Sequence, residues 1–348
     1  MTRPRPLRLA AAGLMIAGFM VVSAPLVAAA HTGQLFTWAY QVVSDGPDIG
    51  GFATISQTDA SMALLGGVPD SPFYATGGEV CDEVAWAVGD GDGGAPTVVT
   101  WNHDTGALGA EVPLVVDPSV WEADTAVVGG ALSADSLADC TGLALVFYTI
   151  QSGDNDPIDL LAIATVDPAT GNTVPLVVLP DEVDESEAHW QGIATDPVTG
   201  LTYVFVSFRD SNAYYAVVDF DAEDIGPLVE LLGAADYFES TGSVVAVDFD
   251  PSGVVWLSYG VNNVEEYHLL SYPAANALAL ASPSDIGAIP YEGDAPVQVD
   301  QPAVLTYDPV AALPATGVQP AGALLLGGAL LLGGVVVAIL AVRRPTAV

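Results

Sequence analysis

The chain has 348 residues, of which 43 are acidic and six basic, giving a formal charge of −37 at neutral pH. No lysine occurs, and five of the six arginines sit in two hydrophobic ends that contain no acid, so residues 31–308 carry Arg209 alone against 43 acids, a charge of −42. Such a surface repels phosphate, which excludes nucleic acid as a partner, disfavours anionic lipid head groups and phosphorylated substrates, and suits solubility in salt.

At the N-terminus Arg3, Arg5 and Arg8 precede the apolar run 9–22, and Ala24-Pro25 leads to Ala28-Ala29-Ala30. A basic start, an apolar stretch and small residues at the −3 and −1 positions make a secretory signal peptide over residues 1–30, with cleavage after Ala30.

From 31 to 308 the composition is that of a folded domain, since 51% of the chain is hydrophobic, enough to build a core in spite of the charge. The apolar residues come in runs of four to eight broken by Gly, Pro, Asp and Asn, with no sustained helical period, and this predicts β-strands. In chain order the strands group in fours: 73–76, 84–88, 97–102 and 110–115; then 131–135, 143–150, 160–166 and 173–179; then 192–195, 201–208, 213–220 and 227–232; then 244–249, 254–259, 267–272 and 277–280. The turns inside the groups look alike, as in Asp167-Pro168-Ala169-Thr170-Gly171, Asp196-Pro197-Val198-Thr199-Gly200, Asp250-Pro251-Ser252-Gly253 and the shorter Asp104-Thr105-Gly106. Asp caps its own turn in each, and Gly takes the left-handed position.

Four strands repeated every 50–60 residues or so suit propeller blades. The pattern resembles YVTN- and NHL-type β-propellers, in which an Asp-Pro or Asp-Gly turn precedes a Tyr-Val-like strand, here Tyr203-Val204-Phe205-Val206 followed by Ala216-Val217-Val218-Asp219. The resemblance implies an all-β propeller of five or six blades over residues 31–308. Segments 35–57 and 302–307 supply the strands that close the ring, and a pair of β-sandwiches is the competing architecture.

Two cysteines in an exported chain favour a disulfide over a metal site. With the blades aligned, Cys81 and Cys140 fall in equivalent turns of neighbouring blades on one face, and a bridge between them staples two blades.

Chemistry-bearing groups are few in this region. His31, His103, His189 and His268 show no metal-ligand spacing, and no G-x-S-x-G elbow, H-E-x-x-H helix or P-loop occurs. Hard oxygen ligands cluster at Asp90 and Asp92, and at Asp154, Asp156 and Asp159, which makes calcium the cofactor to test, although neither run is an EF-hand. Trp86, Trp101 and Trp256 lie in apolar strands and are expected in the core, whereas Trp121 and Trp190 stand beside loops and are the better candidates for stacking on a sugar.

Beyond Asp308 a short linker (309–317) contains Leu313, Pro314, Ala315, Thr316 and Gly317, then an apolar stretch 318–342 long enough to span a bilayer as a helix, then a basic tail 343–348 with Arg343 and Arg344. This order resembles the sorting signal of LPXTG sortase substrates. The resemblance implies cutting between Thr316 and Gly317 by a sortase transpeptidase, and joining of the Thr316 carboxyl to an amine of the cell-wall precursor. The linker is short, so the domain is expected to work close to its attachment point. The sequence thus points to an exported, wall-anchored propeller that binds an envelope glycan or protein without catalysis; an extracellular hydrolase or lyase and a purely structural surface protein are the alternatives.

Overall fold

Alternation governs the strands, and their register shows where each face goes. In Gly142–Gln151, Leu143 and Leu145 pack toward one neighbouring sheet while Ala144, Val146 and Tyr148 pack toward the other, so the strand is buried on both faces. Strands of this kind need a sheet on either side. In a computed structural model the chain satisfies that need with five antiparallel sheets arranged as the blades of a β-propeller. The structure describes residues 33–41, 47–81, 84–120, 125–137, 139–151, 156–180, 182–183, 186–208, 213–231, 242–261, 266–290, 297–298 and 305–308. The proposed signal peptide, the LPATG motif and the apolar span 318–342 lie outside them. Among the described residues no helix is long and apolar enough to cross a membrane.

Blade 2 runs from the axis outward as Tyr74–Cys81, Val84–Asp90, Pro96–Trp101 and Leu108–Pro113. Blade 3 runs as Thr125–Ser136, Gly142–Gln151, Ile158–Val166 and Asn172–Val178, with Val115–Val116 added in parallel at its outer edge. Blade 4 is Ser186–Thr195, Thr202–Phe208 and Ala213–Asp219, whose outer edge is shared by Asp224–Ile225 and Val229–Glu230. Blade 5 is Gly242–Phe249, Val255–Val261, Glu266–Tyr272 and Ser284–Ile289. Its fourth strand departs from the expected 277–280, where the chain instead forms the 3-10 turn Ala275–Ala277 and buries Leu278. The Ala-rich run is apolar because it plugs the space beside Tyr272, not because it pairs in the sheet.

The ring closes as the sequence suggested. Thr306–Asp308 pairs antiparallel with Gln34–Gln41, so blade 1 takes its innermost strand from the end of the domain and its outer strands, Gln34–Gln41, Ile49–Ile55 and Met62–Leu64, from the beginning. Five blades result. The buried apolar side chains divide into five clusters, one in each gap between neighbours. The gap between blades 1 and 2 is the most aromatic: Phe52 stacks on Trp101 at 3.9 Å between ring centroids, and Trp38 meets Phe73 edge-on at 5.5 Å. Trp86, Trp101 and Trp256 are core residues, as expected.

The Asp turns behave as capped corners. Asp167 accepts from Ala169 N and Thr170 Oγ1, Asp196 from Val198 N and Thr199 Oγ1, and Asp250 from Ser252 N and Ser252 Oγ, with Gly171, Gly200 and Gly253 at positive φ. In the shorter turn the cap is Asn102, which accepts from Asp104 N and Thr105 N, rather than Asp104.

Cys81 ends the inner strand of blade 2, Cys140 lies in the corresponding turn of blade 3, and the two form a disulfide with Cα atoms 5.6 Å apart. The bridge closes a separation of 59 residues and joins the blades covalently. Replacing both cysteines by serine is expected to lower unfolding stability by about 2–4 kcal/mol. Urea unfolding, with a parallel titration in reducing agent that moves the native protein and leaves the double variant unchanged, measures this.

Candidate functional site

Four of the five inner strands carry a β-bulge, at Ala75/Gly77, Ala131/Ser133, Trp190/Gly192 and Val244/Ala246. A bulge turns the strand beyond it and re-aims its side chains. Two or three residues past each bulge stands a polar side chain that the turn directs to the axis: Glu79 from blade 2, Asp135 from blade 3, Thr195 from blade 4 and Asp248 from blade 5. Close approach of the strands is enforced by Gly77, where a Cβ atom would fall 2.3 Å from the backbone nitrogen of Ala134. The extra residue Thr76 ties the same gap by donating from Oγ1 to Ala131 O at 2.6 Å.

Glu79, Asp135 and Asp248 are all buried, and one oxygen of each lies within 4.8 Å of the others. Among the described residues they form the one convergent group of three such side chains. They floor a cavity of about 330 Å³ whose walls include Val80, Leu137 and Phe249 and whose rim carries the exposed Pro197 and Pro251. The cavity is therefore acidic at the bottom, apolar on the sides and open at the turn face that also holds the disulfide.

Hydrogen bonds across blade boundaries organise the floor. Ser136 Oγ of blade 3 donates to Glu79 Oε1 of blade 2 at 3.2 Å, and Thr195 Oγ1 of blade 4 donates to Asp135 Oδ2 of blade 3 at 2.5 Å. Asp248 Oδ1 accepts from Phe249 N at 2.6 Å. Burial, reinforced by repulsion from Asp248 and Asp135, holds the Glu79 carboxyl well above the ordinary carboxylate range. Burial pushes Asp135 up to about 7 against the hydrogen bonds from Thr195, Ser136 N and Glu79. Both groups therefore keep their protons to higher pH than an exposed carboxyl does. An oxygen spacing within 4.8 Å is suited to sharing a positive charge.

The residues singled out from sequence fall elsewhere. Asp90 and Asp92 are exposed at the far end of blade 2, Asp92 N donating to Glu111 Oε2. Asp156 and Asp159 are exposed on blade 3, where Asp159 accepts from Thr149 Oγ1, and Asp154 lies outside the described residues. The structure brings none of the described four to the axial group. His103 occupies a turn and His189 is exposed, while His268 lies between Glu266 (3.0 Å) and Asp285 (3.1 Å) on the outer strands of blade 5. Trp190 corrects its expectation as an exposed stacking residue: it is buried in the gap between blades 3 and 4, its indole donating to Pro180 O at 3.0 Å. Trp121, His31 and Arg209 lie outside the described residues. The axial acids escaped notice because each sits inside an apolar strand, yet the signal was there: in Ala134-Asp135-Ser136 and Val247-Asp248-Phe249 an acid occupies the penultimate position of the first strand of a repeat.

No family model matches the chain, and no characterised protein matches it in sequence. Among solved structures it is similar to a protein of unknown function from Dyadobacter fermentans, at 12% identity over 73% of this chain and 83% of that one with a TM-score of 0.42. It is similar also to the xyloglucan PUL protein GH43B of Bacteroides ovatus, at 14% identity over 79% of this chain and 56% of that one with a TM-score of 0.36, and to a puromycin hydrolase, at 13% identity over 76% and 37% with a TM-score of 0.35.

Thr195→Val removes the hydroxyl from Asp135 at nearly constant volume. The expected cost is about 1.5–3 kcal/mol at pH 8, where Asp135 is charged, and less at pH 5, where it is protonated. Urea unfolding at the two pH values tests it.

Proposed function

We propose that the chain is exported and joined to the cell wall through Thr316, and that its propeller is a non-catalytic binding module for an envelope glycan or protein, with the axial cavity as its pocket. The observation that carries this reading is the cavity itself: one concave site, apolar on its walls, with a few converging polar groups at its base. Those groups are carboxyls and hydroxyls, which suit hydroxyl and ammonium groups of a ligand. Binding is favoured over catalysis by the cavity lining, which among the described residues holds no histidine or basic side chain. The signal peptide, the disulfide and the LPATG order support an extracellular address.

Two measurements test the two halves. In cells, Thr316→Ala is expected to move the protein from the muramidase-released wall fraction to the membrane and medium; an unchanged wall fraction would remove the anchoring half. For the pocket, the protein is applied to an array of wall glycans and stem peptides together with a panel of glycoside substrates. Retention that Ser136→Trp abolishes, by filling the cavity, is the expected result, and turnover of a glycoside lost in Glu79→Gln would replace binding with hydrolysis.

A further inference from the structure

We propose that the axial carboxyl cluster is a proton-operated latch between blades: protons held by Glu79 and Asp135, beside Asp248, keep the inner strands together at the cavity floor, and their loss loosens the ring there. This goes beyond the binding reading and depends on no ligand.

The geometry carries it. The three acids come from three different blades, far apart in the chain, and meet within 4.8 Å. The bonds that hold them cross gaps, from Ser136 to Glu79 between blades 3 and 2 and from Thr195 to Asp135 between blades 4 and 3. Their charge state therefore acts on the contact between blades rather than within one sheet.

The groups around them offer no relief. The adjoining turns of blades 4 and 5 bring two more buried acids, Asp196 and Asp250. The inner strand of blade 1 contributes Thr306, Tyr307 and Asp308 in sequence, and the cavity walls Val80, Leu137, Phe249 and the disulfide do not titrate. No Lys or Arg occurs among the described residues, and His189, on the inner strand of blade 4, lies six residues from Thr195, or about 20 Å along a strand. With no Lys or Arg among the described residues, bound protons are what neutralises these carboxyls.

The direction of the pH effect follows. Glu79 and Asp135 keep protons in the folded chain at pH values where the unfolded chain has released them, because both folded values lie above the ordinary 4.5 and 3.8. Their contribution to stability is complete below about pH 4; the Asp135 part is lost as pH rises through about 7, and the Glu79 part as pH rises through its own raised value. Asp59, Asp117, Asp139 and Asp167, whose values are lowered by hydrogen bonds from Ser or Thr, act in the opposite sense but only in the more acid range.

The test is calorimetry of the full chain in non-ionic detergent with a chelator present, from pH 5 to pH 8. The native protein is expected to lose roughly 5–10 °C in Tm across that range. Glu79→Gln, which mimics the protonated acid, and Asp248→Asn, which removes a repelling charge, are each expected to flatten the slope and to melt above the native protein at pH 8. A native Tm that is level or rises from pH 5 to pH 8 overturns the latch, as does a slope left intact in both variants. A Tm that is level in chelator but rises with pH in millimolar calcium overturns it in favour of a cation at the same oxygens. Should either variant fail to fold, the native profile alone decides.

Discussion

A blade whose strands are apolar on both faces is stable only between two others, so the fold depends on bringing its first and last blades together. That contact is made by Thr306–Asp308 lying against Gln34–Gln41. It completes blade 1, and with it the two gaps that blade 1 shares: the aromatic one with blade 2, and the one with blade 5, where Leu35, Ala39 and Leu305 pack on Ala246 and Trp256. Without this strand the remaining blades would leave two apolar faces in water, at roughly 25 cal/mol for each Å². Closure pairs residues from opposite ends of the domain, and its loop-closure cost is offset only when all five gaps fill together.

Closing the ring forces the inner strands to converge, and whatever stands at their ends must share one small space. In this chain the sharers are acids. Burying carboxyl groups without counter-charge costs several kcal/mol for each ionised group, and hydroxyl donors from Ser136 and Thr195 offset only part of that. The cheaper solution is to keep protons, which is why Glu79 and Asp135 titrate so high. A core selected for stability alone would fill the axis with Val or Leu. Acids with displaced titration in a cleft are instead a mark of functional sites.

Much of the architecture was legible in the sequence because it rests on local rules. Short apolar runs broken by Gly, Pro, Asp and Asn located most strands, Asp-Pro turns with Gly at positive φ marked the corners, and alignment of the repeats paired Cys81 with Cys140. The misreadings arose where tertiary packing overrides local pattern. An Ala-rich apolar run read as a strand plugs a gap as a 3-10 turn, and Trp190 beside a loop turns inward to donate to Pro180 O. The axial site was hidden for a different reason. Its acids are about 55–170 residues apart and meet only because the ring closes with five blades and because bulges re-aim each strand, and neither the blade count nor a bulge leaves a signal that a single sequence discloses. The conspicuous acids, such as Asp90 and Asp92, are conspicuous because turns are rich in Asp, and they point to solvent.

The covalent staple and the acidic floor belong to one arrangement. Cys81 follows Glu79 by two residues on the same strand, and Cys140 follows Ser136, the donor to Glu79, within the same turn. The disulfide therefore spans the gap in which Glu79 and Asp135 face each other, where repulsion between ionised carboxylates would otherwise push blades 2 and 3 apart. No disulfide reinforces the gap between blades 3 and 4 or that between blades 4 and 5, because the chain has only the two cysteines. Those gaps rely on the Thr195 hydroxyl, on the bond from Ile193 N to Ser133 Oγ and on apolar packing around Ile193 and Val247. The unstapled side ends in the turns of blades 4 and 5. Those turns carry Pro197 and Pro251, the exposed rim of the cavity.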